Sequence, residues 1–179
     1  MSATPSIHGL MASFDKPGDL LTAARRAHAE GYRKMDAYTP FAVEGLAEAI
    51  GFHSTRVPLI VLLGGMIGCF TGYLLQYWIH AIDYPTNVGG RPLHSAPAFI
   101  PVTFELTILI AALSAFLGML ALNGLPMPHH PVFNAPNFEL ASRNRFFLCI
   151  EATDPRFDRE KTGQFLQSLK PLEVTEVAN

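Results

Sequence analysis

Charge is almost absent from the middle of this sequence, and that absence indicates the class of protein. Of the 179 residues, 16% are charged and 49% are hydrophobic, and almost no charge falls between Val57 and Asn123. A soluble domain of this length would carry charged side chains along its whole surface. We therefore expect an α+β membrane protein with polar ends.

Other absences exclude several kinds of site. The net charge is −2 and the Lys and Arg residues are scattered, so no basic surface for nucleic acid is expected. Cys69 and Cys149 are far apart and lack CxxC, CxxCH or Cys/His spacing. That pattern argues against a disulfide, a structural zinc site and covalently bound haem, so we expect no cofactor or metal in this chain.

Two long apolar runs predict a transmembrane hairpin. Residues 57–79 form about 23 uncharged residues, enough at 1.5 Å per residue to cross a hydrocarbon core about 30 Å thick. Residues 102–123 form the second predicted span, and residues 80–101 form the loop between them. A loop this short returns the chain across the same bilayer, so both termini are expected on one side.

The basic residues favour a cytoplasmic location for that side. Arg56, Arg143 and Arg145 flank the spans, whereas the loop contains Arg91 alone. The first residues also lack the basic and apolar regions of a cleaved signal peptide. We expect cytoplasmic termini and an outer, periplasmic loop.

Glycines recur every four residues in the first span. Gly64, Gly68 and Gly72 would form a strip without side chains on one helix face, which lets another helix approach closely. Ordinary tolerance of glycine in membrane helices is the alternative explanation. The second span offers small residues as a matching surface: Ala111, Ala112, Ser114, Ala115 and Gly118.

The polar ends predict one divided domain. Residues 1–56 contain a strand–helix–strand pattern, and residues 145–179 repeat it. Two βαβ halves of similar length predict a ferredoxin-like α/β sandwich with the hairpin inserted between them. Residues 124–144, rich in proline, are predicted to form an extended tether. Four aspartates at the turns between strand and helix in the two halves are predicted to be turn and cap residues rather than ligands. They are Asp15, Asp19, Asp154 and Asp158.

Few polar residues are candidates for a functional role. Glu105 lies just inside the predicted second span, where a carboxylate is costly unless it is paired, protonated or near headgroups. Arg91 in the loop is a possible internal partner, and contact with a partner subunit or proton transfer remain alternatives. Asp83, with His80 and His94, could take part in such chemistry or only in loop turns. Adjacent His129 and His130 are expected to be solvated rather than metal-bound.

Four stretches carry a more specific pattern. They are DAYTPF (residues 36–41), YPTNVGGRPLHSAPAFIPVTFELTIL (84–109), ALNGLPMPHHPVF (121–133) and RFFLCIEATDPRFD (145–158). Together they closely resemble the small two-helix D subunit of alternative complex III, a bacterial membrane quinol:electron-acceptor oxidoreductase. The likeness covers nearly the whole chain in the same order.

The resemblance implies an accessory subunit without catalytic residues of its own. In that family haem c and iron–sulfur clusters belong to other subunits, and quinol oxidation is assigned to large polytopic subunits. This chain would then be a cytoplasm-facing cap and anchor in the bacterial inner membrane, in contact with lipid and with those partners. A free-standing ferredoxin-like sensor or carrier is one alternative, and a subunit that contributes Glu105 to a quinol or proton path is another.

Overall fold

The computed structural model describes residues 7–52 and 55–179, which form two compact units. Residues 7–52 and 128–179 form the sheet unit, and residues 55–127 form the hairpin unit. The first six residues, which bear on the prediction of an uncleaved N-terminus, lie outside the described part of the chain.

A four-stranded antiparallel sheet organises the sheet unit. Its strands are β1 (Ile7–Phe14), β2 (Met35–Tyr38), β3 (Phe146–Glu151) and β4 (Glu173–Ala178). The strand order is β2-β3-β1-β4, and every neighbouring pair is antiparallel. The central pair, β1 and β3, comes from opposite ends of the sequence, so the two polar ends share one sheet.

Helices cover one face of this sheet. They are α1 (Pro17–Ala29) and α5 (Arg159–Ser168), with the short α2 (Leu46–Ala49) beside them. Side chains alternate between the two faces along a strand, and the residues on this face form an apolar core with the helices. The core includes Leu10, Ala12, Phe14, Leu20, Ala24, Ala27, Leu148, Ile150 and Leu166.

The other face is covered by the segment for which the sequence predicted a tether. It contains two 3₁₀ helices, Pro131–Asn134 and Phe138–Ser142. They pack against the strand residues Met11, Phe147, Cys149 and Val177. The buried positions of the segment are Val132, Ala135, Phe138 and Ala141. These recur every third residue, and a 3₁₀ helix has three residues per turn, so they fall on one side.

Two long helices form the hairpin unit. α3 (Val57–Tyr77) continues as a π-helical turn, Trp78–Asp83, and α4 runs over Ala96–Leu122. Each is long and apolar enough to span a membrane, with mean hydropathies of 1.9 and 2.1. At the ends that face the connection, both helices extend beyond the spans predicted from the sequence. The connection is therefore shorter than the predicted loop of residues 80–101 and comprises residues 84–95. Pro97 occupies the first turn of α4, where a proline costs no hydrogen bond, and Pro101 lies inside the helix.

Candidate functional site: the helix contact and polar residues of the hairpin

The glycine strip of α3 packs against α4 of the same chain. Gly64, Gly68 and Gly72 are all buried. A Cβ added at Gly68 would lie 2.5 Å from the backbone oxygen of Leu106 and 2.9 Å from the Cα of Thr107. Because both are backbone atoms, they cannot move aside as a flexible side chain would. The missing side chains therefore allow the two helices to touch backbone to backbone.

The strip continues into a polar contact that the sequence analysis missed. The Nε2 of Gln76 donates to the carbonyl oxygens of Gly72 and Phe99, each at 3.0 Å, and to Oγ1 of Thr103 at 3.2 Å. Phe99 is almost fully buried. Gln76 therefore bonds to both helices. Its position four residues after Gly72, on the face of the glycines, was a signal that could have revealed it.

Aromatic and imidazole rings gather where the hairpin meets its connection. The hydroxyl of Tyr73 and Nε2 of His94 are 2.7 Å apart and hydrogen-bonded. His94 also meets Tyr77 edge-on at 5.2 Å, and His80 stacks on Phe99 at 5.7 Å. We call these five residues the loop-end cluster. It fixes the last residues of the connection against α3, and its hydroxyl–imidazole pair has the geometry to exchange a proton.

The structure does not bring the other predicted polar residues together. Asp83 ends the π-helical turn and Arg91 lies in the connection, and both are exposed. Glu105 is exposed on α4, and within residues 7–52 and 55–179 its side chain makes no ion pair or hydrogen bond. The internal pairing of Glu105 with Arg91, considered from the sequence, is therefore not formed among the described residues.

The sheet unit holds a second polar group, which includes His130. The sequence predicted that His130 is solvated, but it is partly buried and its Nδ1 accepts a hydrogen bond from the backbone N–H of Val132. The rings of His8 and His130 meet edge-on at 5.3 Å. Burial lowers the pKa of His8, while burial and the charge of Glu151 raise the pKa of Asp36. No group of three or more His, Cys, Asp or Glu residues suited to a metal ion occurs in the described part of the chain.

A shallow cleft of about 480 Å³ opens beside this group. Its lining includes Tyr38, His130, Phe133 and Phe138. Burial raises the pKa of the nearby Cys149 thiol to about 12. A thiol with so high a pKa is protonated at neutral pH and is a poor nucleophile.

Two of the four turn aspartates make the hydrogen bonds expected of turn and cap residues. Asp154 accepts hydrogen bonds from the backbone N–H groups of Arg33, Lys34 and Arg156 at 2.7, 2.7 and 2.8 Å. Burial by itself would raise the pKa of Asp154, but these three donors hold that pKa below its usual value. Asp158 caps α5 by accepting from two backbone N–H groups of its first turn. The assignments of Asp154 and Asp158 are confirmed. Neither Asp15 nor Asp19 caps α1, because the N-cap residue of that helix is Lys16 and no side chain accepts a cap hydrogen bond there.

Comparison with known protein families relates this arrangement to a respiratory complex. Residues 8–176 match the family described as Alternative complex III, ActD subunit. A search of curated proteins found no match. The family match begins in the first strand, covers both long helices and ends in the last strand. Because it takes in nearly the whole chain, this protein belongs to the ActD subunit family of alternative complex III.

Proposed function

We propose that this chain is a non-catalytic subunit that anchors alternative complex III in the membrane and supports its structure. One observation carries the proposal. This member of the ActD subunit family contains a hairpin of two apolar helices, each 27 residues long. Their glycine contact uses one face of each helix and leaves the outer faces exposed. Those faces are available to lipid and to the helices of other subunits.

We further propose that the sheet unit is a ferredoxin-like domain into which the hairpin is inserted. The strand order β2-β3-β1-β4, with α1 joining β1 to β2 and α5 joining β3 to β4, supports this assignment. The proposed location is the bacterial inner membrane, with the sheet unit and both termini in the cytoplasm. The excess of arginine outside the connection supports that orientation.

The proposed partners are the subunits that carry out the redox chemistry. Large polytopic subunits would bind quinol next to the hairpin, and multihaem and iron–sulfur subunits would hold haem c and the clusters. The connection, residues 84–95, would dock on partner subunits at the outer face. The apolar side chains of Tyr84, Val88 and Leu93 are exposed there, which favours contact with another protein surface.

Purification of the tagged chain in mild detergent tests the proposal. We expect it to co-purify with polytopic, multihaem and iron–sulfur subunits in constant ratio. Recovery of a stable lone species from the same membranes would favour a free-standing sensor or carrier instead. Reconstituted complex lacking this subunit should retain its haem and cluster spectra, because those groups are assigned to the partners. Loss of a specific haem or cluster signal would contradict the non-catalytic role.

A further inference from the structure

The register between α3 and α4 determines the depth of Glu105 in the hairpin. A Cβ added at Gly68 would meet Thr107, and one added at Gly72 would meet Thr103. Glu105 lies midway between the two threonines along α4. It is therefore level with the midpoint between the two glycines of α3.

That level is the middle of the apolar span. α3 with its π-helical turn runs from Val57 to Asp83, so Phe70 is its central residue. At 1.5 Å per residue the ends of α3 are each about 20 Å from that level, and the nearer end of α4, Ala96, is about 14 Å from Glu105. Glu105 is therefore close to the middle of a hydrocarbon core about 30 Å thick. The span predicted from the sequence begins at residue 102, which would put Glu105 near a boundary of the membrane. α4 begins at Ala96, so the carboxylate lies deeper than predicted.

Glu105 also points away from its own hairpin. The face of α4 that contacts α3 contains Thr103 and Thr107. Glu105 is two residues from each, which at about 100° per residue places it on the opposite side of the helix. It is exposed there, and no described residue offers it a hydrogen bond or an opposite charge.

The surroundings of Glu105 on this outer face are apolar. Ile108 and Leu109 follow it along the face and are about half exposed. Ala112, two turns further on, is small and exposed and would allow another helix to approach closely. An unpaired carboxylate among such residues at the centre of a bilayer is costly, and a basic side chain is the partner that offsets this cost best.

We propose that a transmembrane helix of another subunit covers this face and presents an arginine or lysine to Glu105. The inference rests on the proposed function, because it requires that the chain is assembled with polytopic partners. Beyond the proposed function, it specifies the surface of α4 that is covered, the depth of the contact in the membrane and the chemistry of the partner. Glu105 is a positioning residue in this scheme, since it selects and orients a neighbouring helix and does not touch substrate.

Substitutions at Glu105 in the intact complex test the inference. We expect Glu105→Leu to reach the membrane at wild-type level or above, because leucine favours insertion. Its co-purification with a tagged polytopic subunit should fall at least about tenfold, since the partner's basic group loses its counter-charge in an apolar site. Glu105→Gln should show a smaller loss and Glu105→Lys a loss as large as that of leucine. Leu109→Ile on the same face, which changes neither the charge nor the volume of the side chain, is the matched control and should assemble almost normally.

One result would overturn the inference and leave the proposed function intact. It is normal co-purification of both Glu105→Leu and Glu105→Lys under conditions in which the wild-type chain also assembles. A second result, normal assembly of Glu105→Gln with lost quinol oxidation, would assign Glu105 to a proton or quinol path and would overturn both the inference and the non-catalytic role. If the wild-type chain itself fails to co-purify, the proposed function fails and this inference fails with it.

Photo-crosslinking identifies the partner directly. A crosslinking amino acid in place of Leu109 should form one adduct with a polytopic subunit, and the modified peptide should lie in an apolar helix that contains Arg or Lys. The same label at Phe70, level with Glu105 but on α3, is the control for general proximity at that depth. Adducts with lipid alone at position 109 would show that the face is not covered by protein.

Discussion

Gly68 lies where the backbones of the two long helices come closest. A Cβ there would press on the backbone of Leu106 and Thr107, and packed interfaces absorb added volume at a cost of about 1–3 kcal/mol. We expect Gly68→Leu to remain in the membrane, because leucine favours insertion. The helices of its hairpin should be forced apart, so assembly with partner subunits should fall more than the membrane level does.

Gly65 provides the matched control for this prediction. A Cβ at Gly65 would lie 3.7 Å from the Cβ of Ala111, which is ordinary van der Waals contact. Gly65→Ala should therefore leave the membrane level of the subunit and its assembly with partners close to wild type, whereas Gly68→Ala should already reduce assembly. The measurement compares subunit retained in membranes with subunit recovered on a tagged partner. Wild-type recovery of Gly68→Leu would show that this contact does not matter for assembly.

Asp154 connects the turn before α5 to the start of β2 through its three backbone donors. Replacement by Ala leaves those N–H groups without their acceptor, and we expect a loss of about 2 kcal/mol in the free energy of unfolding of the sheet unit. Thermal unfolding of the purified subunit in detergent, followed by circular dichroism, measures it. Thr153→Ala at the exposed neighbouring position should have a much smaller effect.

The same carboxylate predicts a pH dependence. The pKa of Asp154 is lower in the folded chain than in the unfolded one. The carboxylate therefore stabilises the fold fully at pH values above the pKa of the unfolded chain, near 4, and this stabilisation declines as the pH falls through the pKa of the folded chain. The difference in stability between wild type and Asp154→Ala should therefore shrink in acid. A constant difference from neutral to strongly acidic pH would contradict the assigned cause.

At the scale of elements, the two 3₁₀ helices after the hairpin act as a layer of the sheet unit. Phe138 is buried and packs on the rings of Tyr38 and Phe147 at 5.1 and 5.7 Å. Phe138→Ala should lower the free energy of unfolding by about 3 kcal/mol, because the cavity would open directly over the sheet. Thermal unfolding of the intact subunit measures the change.

Phe133 in the same segment is the control. Its side chain is 67% exposed, so Phe133→Ala should cost only a fraction of that amount. Equal effects of the two substitutions would mean that the segment does not act as a packed layer. A negligible effect of Phe138→Ala would support the extended tether that the proline content predicted, and not a packed layer.

At the scale of the whole molecule, the proposed topology predicts which segments a protease reaches. In sealed inside-out vesicles, sites in residues 7–52 and 145–179 should be cut from the cytoplasmic side. The connection around Gly89, on the other side of the bilayer, should be protected until detergent is added. Cleavage near Gly89 in sealed vesicles would reverse the orientation, and right-side-out vesicles provide the reciprocal control.

Much of the architecture follows from patterns along the chain. The apolar runs predicted two helices long enough to span a membrane, and the strand–helix–strand pattern predicted in residues 1–56 is present as β1, α1 and β2. The boundaries were less predictable. Polar residues such as His80 and Asp83 indicated a loop, but the structure continues α3 through them as a π-helical turn.

The sequence alone determined the family, the spans and the strip of Gly64, Gly68 and Gly72. The family depends on long motifs, the spans on uncharged length and the strip on a spacing of four residues, and each of these can be read along one segment of the chain. Only the tertiary structure decided what those residues touch. It packed the strip on α4, placed residues 131–142 over the sheet, and showed Glu105 level with the middle of the hairpin and facing outward. The physical reason is that burial, depth and partner choice depend on the register between segments distant in the chain, which spacing within one segment does not fix.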